Sequence, residues 1–282
     1  MSQNLSDVTI VIITYKSEKI IYDFIKKIPS KIKTIIIENS QNYELKKDIE
    51  EKNENISLFI KENNGVSSAL NFAVKKIKTK YFLQISPDIE FSFKDLEVFL
   101  NYAEKLKNSF AALGPRFLNV KQKSHKQINE QIEYGKIDSI HGSCMLINKE
   151  IFELIGKFDE NFFLYFEETE YCYRAKKKGY ISYQINGIKV RSIGRSVETH
   201  NDAEKDLNNI LIWHFIWSKY YFSTKKRGKI LSLIIFTPLL LRINLKIILY
   251  KIFKNNISLN KYKYRLNGLV KSMMGKSSDL RP

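Results

Sequence analysis

Between Phe158 and Glu170 the chain carries carboxylates at Asp159, Glu160, Glu167, Glu168 and Glu170 around the aromatic run Phe162-Phe163-Leu164-Tyr165-Phe166. A carboxylate in the first turn of a helix is aimed by the backbone and can accept a proton from an attacking hydroxyl. Glu168 falls in such an expected first turn, with Glu167 beside it and Glu170 two residues on. The helix terminus holds its pKa down, while burial or the adjacent acids raise it. The competing reading is a set of favourable N-terminal helix charges beside a packing cluster. A second carboxylate, Asp88, follows Ser86-Pro87 at the end of an apolar run, with Glu90 two residues on. Fixed there it can hold a divalent cation against a diphosphate, because hard cations take oxygen ligands. A strand-end turn in which Asp88 bonds only local backbone uses the same residues. Glu38, after another apolar run, can accept hydrogen bonds from a base or ribose. Asn63-x-Gly65 precedes a helix containing Asn71; the glycine allows close approach of a ligand and the amides suit sugar hydroxyls. An ordinary helix start accounts for that pattern too. No GxGxxG string and no Walker loop occurs.

These side chains need elements that hold them. Residues 8–13, 34–37, 56–60 and 81–85 are continuous apolar runs separated by helical patterns, one of them at about 67–77. That order predicts a parallel sheet covered on both faces, an α/β fold with polar loops at the carboxyl ends of its strands, where open sheets bind ligands. Beyond residue 111 we expect a mobile loop over 121–136, a strand over 140–147, a short helix over 150–155 and a helix over 167–178. After His200 the chain reads as helical and rich in aromatic residues. The runs 230–241, interrupted by Pro238, and 243–253, with Lys246 and Lys251, are each expected to be too short or too charged to span a membrane. A surface-lying or re-entrant pair fits them better.

Composition limits the classes available. Two cysteines exclude a disulfide-rich scaffold and a four-cysteine zinc site, and four histidines leave any metal to carboxylates. From 207 to 282 there are 15 basic residues and one acid, Asp279, so this tail carries +14 of the total +17. A nearly neutral body with a cationic end points away from a nucleic-acid binder and toward a membrane-facing tail. Trp213, Trp217, Tyr220, Tyr221 and Phe222 interleave with Lys219, Lys225, Lys226 and Arg227, and the aliphatic run that follows suits lipid. A helical pair folded onto the catalytic body is the alternative. No secretory leader is read at the start, which implies a cytoplasmic location.

In this order the fragments resemble the family 2 glycosyltransferases of the GT-A fold, in particular the rhamnosyltransferase-like branch that builds bacterial surface polysaccharides. Val11-Ile12-Ile13-Thr14-Tyr15 resembles the first strand and nucleotide loop, and Glu38-Asn39-Ser40 the Asp-Asn-x-Ser element. Asn63-x-Gly65-x-x-x-Ala69-x-Asn71 resembles NxGxxxAxN, and Ser86-Pro87-Asp88 stands where the family has DxD or Asn-Pro-Asp. The most specific match is Gly156-x-Phe158-Asp159-Glu160-x-Phe162-Phe163-x-Tyr165-x-Glu167-Glu168-x-Glu170-x-Cys172-x-Arg174, against GxFDExFFxYxEDxDxCxR. The chain departs from the pattern at several positions: Glu38 and Ser86 replace the first polar members of their elements, Glu168 replaces the aspartate of the Glu-Asp pair, Glu170 the next aspartate, and Arg191 stands in the place of a histidine in an HxxGxS-like segment. The resemblance covers about 8–228.

The resemblance implies an inverting transferase that moves a sugar from a nucleotide-diphospho-sugar, dTDP-rhamnose or a UDP-hexose, to a hydroxyl of a lipid-linked or growing surface glycan. Glu168 is then the general base, supported by Asp159, Glu167 and Glu170. Thr14, Tyr15, Glu38, Asn39, Asn63, Gly65, Asn71, Ser86, Asp88, Arg191 and Arg195 line the donor site. Asp88 is the ligand of Mg2+ or Mn2+, with His200 as a second candidate, while Arg191 and Arg195 can neutralise diphosphate directly. The expected catalytic domain is 1–206, with a nucleotide half at about 1–115 and an acceptor half at about 116–206, followed by a membrane-associating tail at 207–282. Peripheral attachment to the cytoplasmic face of the inner membrane follows, and a homodimer is left open. An inactive subunit of a polysaccharide assembly complex is the alternative that the departures from the pattern leave standing.

Overall fold

The computed structural model describes residues 5–119, 126–194, 197 and 201–282, the side chains of 201–205 excepted. They fall into two units: Met1–Asn64 with Ser68–Phe158 and Glu168–Glu198, and Gly65–Ser67 with Asp159–Glu167 and Thr199–Pro282.

The first unit is built on β-branched runs. Strands β1 (Val8–Thr14), β2 (Lys33–Glu38), β3 (Ile56–Ile60) and β4 (Tyr81–Ile85) pair in parallel, in the order β3-β2-β1-β4. Ile10, Ile12, Ile36 and Leu83 are wholly buried, as expected of strands covered on both faces. The connecting helices are α1 (Glu18–Ile25), α2 (Tyr43–Lys52) and α3 (Val66–Val74). Helix α2 is started by Asn42, whose side chain accepts from the Leu45 amide at 2.9 Å. Its charged sequence buries only Leu45 and Ile49, which is why apolar periodicity does not announce it.

The sheet continues through β5 (Ile89–Glu90), β6 (Phe110–Phe117), β7 (Tyr134–Ile137), β8 (Cys144–Asn148) and β9 (Ile181–Ser192), with α4 (Asp95–Lys105), α5 (Lys149–Ile155) and α6 (Glu167–Lys177) between them. Strand β8 lies antiparallel to both β4 and β6, and β9 runs parallel to β6 while taking β7 and β5 as antiparallel neighbours. The expected loop over 121–136 therefore ends in strand β7, and the expected strand over 140–147 begins only at Cys144. Residues 138–143 stay outside the ladder and form the loop that matters below.

The second unit contains three long helices, α7 (Asn201–Arg227), α8 (Lys229–Ile252) and α9 (Asn256–Met273). Ile216, Tyr220, Phe236, Ile243 and Leu269 form their shared core. Helices α7 and α9 approach closely at Gly268, where a side chain would sit 2.7 Å from the Trp213 carbonyl. Pro238 does not interrupt α8, which is one continuous helix of 24 residues. That corrects the expectation of two short segments: the helix has the length and apolar composition of a membrane span.

The last residues fold back onto α7. His214 bonds the Ser278 hydroxyl at 2.9 Å and the Leu280 carbonyl at 2.8 Å, and the Trp217 indole donates to the Lys276 carbonyl at 3.1 Å. Burial pushes His214 from 6.5 down to about 4, so the folded ring stays neutral. Below pH 6.5 the unfolded chain takes up a proton that the folded chain refuses, so stability falls as pH drops toward about 4. We expect this group alone to remove about 3 kcal/mol over that window. Urea melts at neutral and acid pH, compared with those of a His214→Gln variant, should show a smaller loss in the variant.

Candidate active site

Thr14, the last residue of β1, lies opposite Glu38, the last of β2. The Lys16 amide donates to the Ser40 hydroxyl at 3.2 Å, joining the loops that follow the two strands. Glu38 is buried and engaged within its own turn: its carboxylate accepts from the Ser40 amide at 2.7 Å, the Ser40 hydroxyl, and the Asn42 amide at 2.8 Å. It therefore shapes the loop. The neighbouring Asn39 is buried with its side-chain oxygen lacking a hydrogen-bond partner among the described residues. A buried acceptor left open at a strand end is where a ligand donor would be accommodated. Tyr15 is half-buried, with the Lys16 ammonium 5.4 Å from its ring centroid.

Asp88 follows β4 and is held by strand pairing. Its carbonyl accepts from the Ile193 amide at 2.9 Å, and its Oδ2 accepts from the Ser192 hydroxyl at 2.7 Å. Side chains alternate along β9, so with Val190 buried and Arg191 exposed it is Ser192 that reaches Asp88. Arg191 pairs through its backbone with Glu90. Burial raises the Asp88 pKa above 3.8, eased by the Ser192 hydroxyl and its own backbone amide. Arg195 and His200 lie outside the described residues.

The other candidate acid sits at the same end of the β4–β8 pair. The Ser86 amide donates to the Ser143 carbonyl at 2.9 Å. Beside Ser143, Gly142 abuts Glu168, whose Oε2 would lie 3.6 Å from a side-chain carbon built on that glycine. Glu168 Oε1 accepts from the Thr169 hydroxyl at 2.8 Å, and Thr169 is 2.9 Å from the Ser139 hydroxyl. Burial raises the Glu168 pKa above 4.5, against the lowering effect of these hydrogen bonds. A carboxylate so placed is more basic than a solvated one, which favours proton acceptance. In the same loop His141 packs against Phe117 in a tilted ring pair with centroids 4.6 Å apart, and its Nδ1 lies 2.7 Å from the Ser143 hydroxyl. Ser139, His141, Ser143, Thr169 and Ser192 were missed in the sequence; the His141-Gly142-Ser143 run before a buried strand was the available signal for three of the loop's residues.

Several predicted site residues instead hold the scaffold. Asn71 is buried in α3, donating to the Phe158 carbonyl at 2.9 Å and accepting from the Phe158 amide at 3.0 Å. Glu170 is fully buried and takes both carboxylate contacts of the Arg174 Nε at 2.9 Å. Arg174 then donates to the carbonyls of Ile155, Gly156 and Lys157. This network ties α6 to the end of α5.

In the second unit, Gly65 adopts φ +92° directly against the Phe163 carbonyl, where any side chain would stand 2.4 Å from that oxygen. The Val66 amide donates to the same carbonyl at 2.9 Å. Tyr165 and Phe166 have φ of 68° and 71°, conformations that cost aromatic residues about 1–3 kcal/mol each. They are the residues immediately before Glu167, which is buried, and Glu168. Ser218 donates to the Leu164 carbonyl at 2.8 Å, while Phe166 packs against Phe215 and Phe222, and these contacts offset the strain. Asp159 accepts from the Tyr221 hydroxyl at 3.0 Å and from Lys225 at 2.5 Å. Burial pushes its pKa up, but Lys225 and Asn161 bring it below the ordinary carboxylate value. Asp159 thus anchors its segment to α7. Asn63 and Ser86 are half-buried in the loops after β3 and β4.

Among the described residues no group of three or more His, Cys, Asp or Glu side chains converges as a metal site. Asp88 nonetheless fits a cation: it is a buried carboxylate whose perturbation includes no compensating positive charge. One or two carboxylates with the remaining oxygens from phosphate is the usual way Mg2+ is held on a nucleotide. A separate cavity of about 580 Å3, lined by Thr9, Lys31, Lys33, Ser57, Lys78 and Thr79, lies at the amino ends of the strands, away from these acids.

Residues 9–156 match the sequence profile of glycosyl transferase family 2, more than half of the chain, and the chain belongs to that family. It is 26% identical over 200 residues to a low-salt glycan biosynthesis hexosyltransferase of Haloferax volcanii, covering 62% of this chain and 63% of that one. It is 24% identical over 212 residues to the dTDP-rhamnosyl transferase RfbF of Shigella flexneri, covering 67% and 70%. The chain thus aligns with less than two thirds of the haloarchaeal relative's length. In fold it is similar to a mannosyltransferase of Pyrobaculum calidifontis solved with GDP-Man and Mn2+, at TM-score 0.60 and 14% identity, over 96% of this chain and 88% of that one. It is also similar to Staphylococcus aureus TarS solved with UDP-GlcNAc, at TM-score 0.54 and 9% identity, over 95% and 92%. The fold is the GT-A fold expected from the sequence.

Because the donors to the buried Asp88 carboxylate among the described residues are a hydroxyl and an amide, Asp88→Asn should stabilise the ligand-free chain by about 1 kcal/mol at neutral pH. The folded pKa lies above the unfolded one, so this gain shrinks on acidification and vanishes below pH 3.8. Thermal melts of both proteins across that range check the sign.

Proposed function

We propose that the chain is an inverting glycosyltransferase that moves a sugar from a nucleotide-diphospho-sugar, dTDP-rhamnose or a UDP-hexose, to a hydroxyl of a lipid-linked or growing surface glycan. The observation that carries this reading is the pairing of two unlike acids at one end of β4 and β8: Asp88, buried and without a positive partner among the described residues, and Glu168, oriented by Thr169 and raised in pKa. The first suits a charged donor and the second a neutral acceptor.

The donor's nucleotide is held at the carboxyl ends of β1, β2 and β3, near Thr14, Asn39 and Asn63. Asp88 is the protein ligand of Mg2+ or Mn2+, and a bound cation supplies positive charge to the departing diphosphate. Glu168 accepts the proton of the acceptor hydroxyl as its oxygen forms a bond to the anomeric carbon. The bond from that carbon to the diphosphate oxygen breaks, and the diphosphate leaves with the electron pair. Attack opposite the leaving group inverts the anomeric configuration. Thr169 fixes the Glu168 rotamer. We place the protein at the cytoplasmic face of a membrane, attached through its cationic tail.

Purified protein should bind one member of a panel of UDP-, dTDP- and GDP-sugars and turn it over with a lipid-linked glycan acceptor and Mn2+. Glu168→Gln should retain donor binding and lose at least about 100-fold in turnover. The acid limb of the rate profile should show an apparent pKa above the ordinary 4.5, since protonation of Glu168 removes the base. Failure to bind any donor would overturn the transferase and favour an inactive assembly subunit.

A further inference from the structure

Helix α8 buries Ser232, Phe236 and Ile243 against α7 and α9 and leaves the opposite side open. Tyr220 meets Phe236 edge-on at 5.2 Å, the Ser223 and Ser232 hydroxyls are 2.8 Å apart, and Tyr250 lies 5.4 Å from Tyr262, so the helix is held over most of its length. The open side carries Ile230, Ile234, Leu241, Leu245, Ile248 and Ile252, from 56% to 80% exposed. At 3.6 residues per turn these six fall within roughly 60° of one another, a continuous aliphatic stripe about 33 Å long. Arg242 flanks it on one side and Lys251 on the other, and α8 contains no acid.

Two polar residues near the stripe are already satisfied. Thr237 donates to the Leu233 carbonyl at 2.9 Å and Asn244 to the Leu240 carbonyl at 2.9 Å, each one turn back. That is how a hydroxyl or amide is accommodated where no water is present.

We infer that α8 docks lengthwise into the surface of an anionic bilayer, its stripe among the acyl chains and its flanking cations at the lipid phosphates. This deepens, and rests on, the proposed membrane attachment. A spanning orientation is disfavoured by packing: α8 is bonded to α9, and crossing would take Lys261, Lys263 and Arg265 of α9 into hydrocarbon with it. A second copy is disfavoured by charge, because residues 207–282 carry 15 basic residues against one acid and two such tails repel. Anionic lipid supplies both the apolar phase and the opposite charge.

Both native cysteines are buried, so a cysteine introduced on the surface can be labelled selectively. Ile234→Cys, Leu241→Cys and Ile252→Cys place an environment-sensitive fluorophore along the stripe, and Lys47→Cys on α2 serves as the solvent-exposed reference. The full chain is mixed, without donor or acceptor, with vesicles of equal parts phosphatidylcholine and phosphatidylglycerol, or of phosphatidylcholine alone. We expect brightening at all three stripe positions and none at Lys47→Cys, with at least about tenfold weaker association on the neutral vesicles. Lipid-borne quenchers should place the three labels at one depth. A gradient, with position 241 deepest and positions 234 and 252 toward opposite faces, would establish a spanning helix and overturn the inference. No change with either vesicle, or brightening in lipid-free protein together with a doubled mass by light scattering, would also overturn it. None of these outcomes depends on sugar transfer, so the transferase reading stands or falls separately on donor binding.

Discussion

A buried carboxylate without an opposing charge is costly, and the sheet end of this protein is arranged to keep one. Asp88 leaves β4 at Ser86-Pro87 and is fixed by the two-residue strand β5, which pairs with the end of β9 and brings Ser192 onto it. One hydroxyl does not repay the desolvation of a carboxylate. The demand is for positive charge, and a cation bound with a diphosphate, as we propose, would supply it. Around this point the rest of the first unit is placed: β4 and β8 bring the Gly142 loop to Glu168, and the Glu170–Arg174 network holds α6 to α5.

The aromatic segment of the second unit depends on a different constraint. The two residues before the Glu167–Glu168 pair adopt left-handed backbone angles that aromatic side chains resist, and helix α7 supplies the contacts that hold the turn. Asp159, at the start of the same segment, is tied to Tyr221 and Lys225. The tail helices thus have a role within their own unit before any membrane is considered: they hold the aromatic segment in a conformation it would not adopt alone. Gly65 completes that packing by leaving room for the Phe163 carbonyl.

The first four strands were legible because they are largely apolar runs, and the acidic segment because its spacing is so specific. What escaped was set by partners distant in the chain. Nothing local distinguishes Ser192 from Arg191; the alternation of β9, established by pairing with β6, decides which faces Asp88. Glu38 reads as a free strand-end acid until its turn folds back and engages it. Asn71 reads as a sugar ligand, yet its amide matches the backbone of Phe158, 87 residues on. Pro238 reads as a break, but neighbouring helices hold α8 together across it.

The central claim is that Asp88 couples donor binding to a divalent cation. Calorimetric titration of a nucleoside diphosphate, with Mn2+ and then with chelator, tests it in the wild type and in Asp88→Asn. The account predicts at least about tenfold tighter binding with Mn2+ in the wild type and no metal effect in the variant. Equal affinities with and without Mn2+ in the wild type would contradict it.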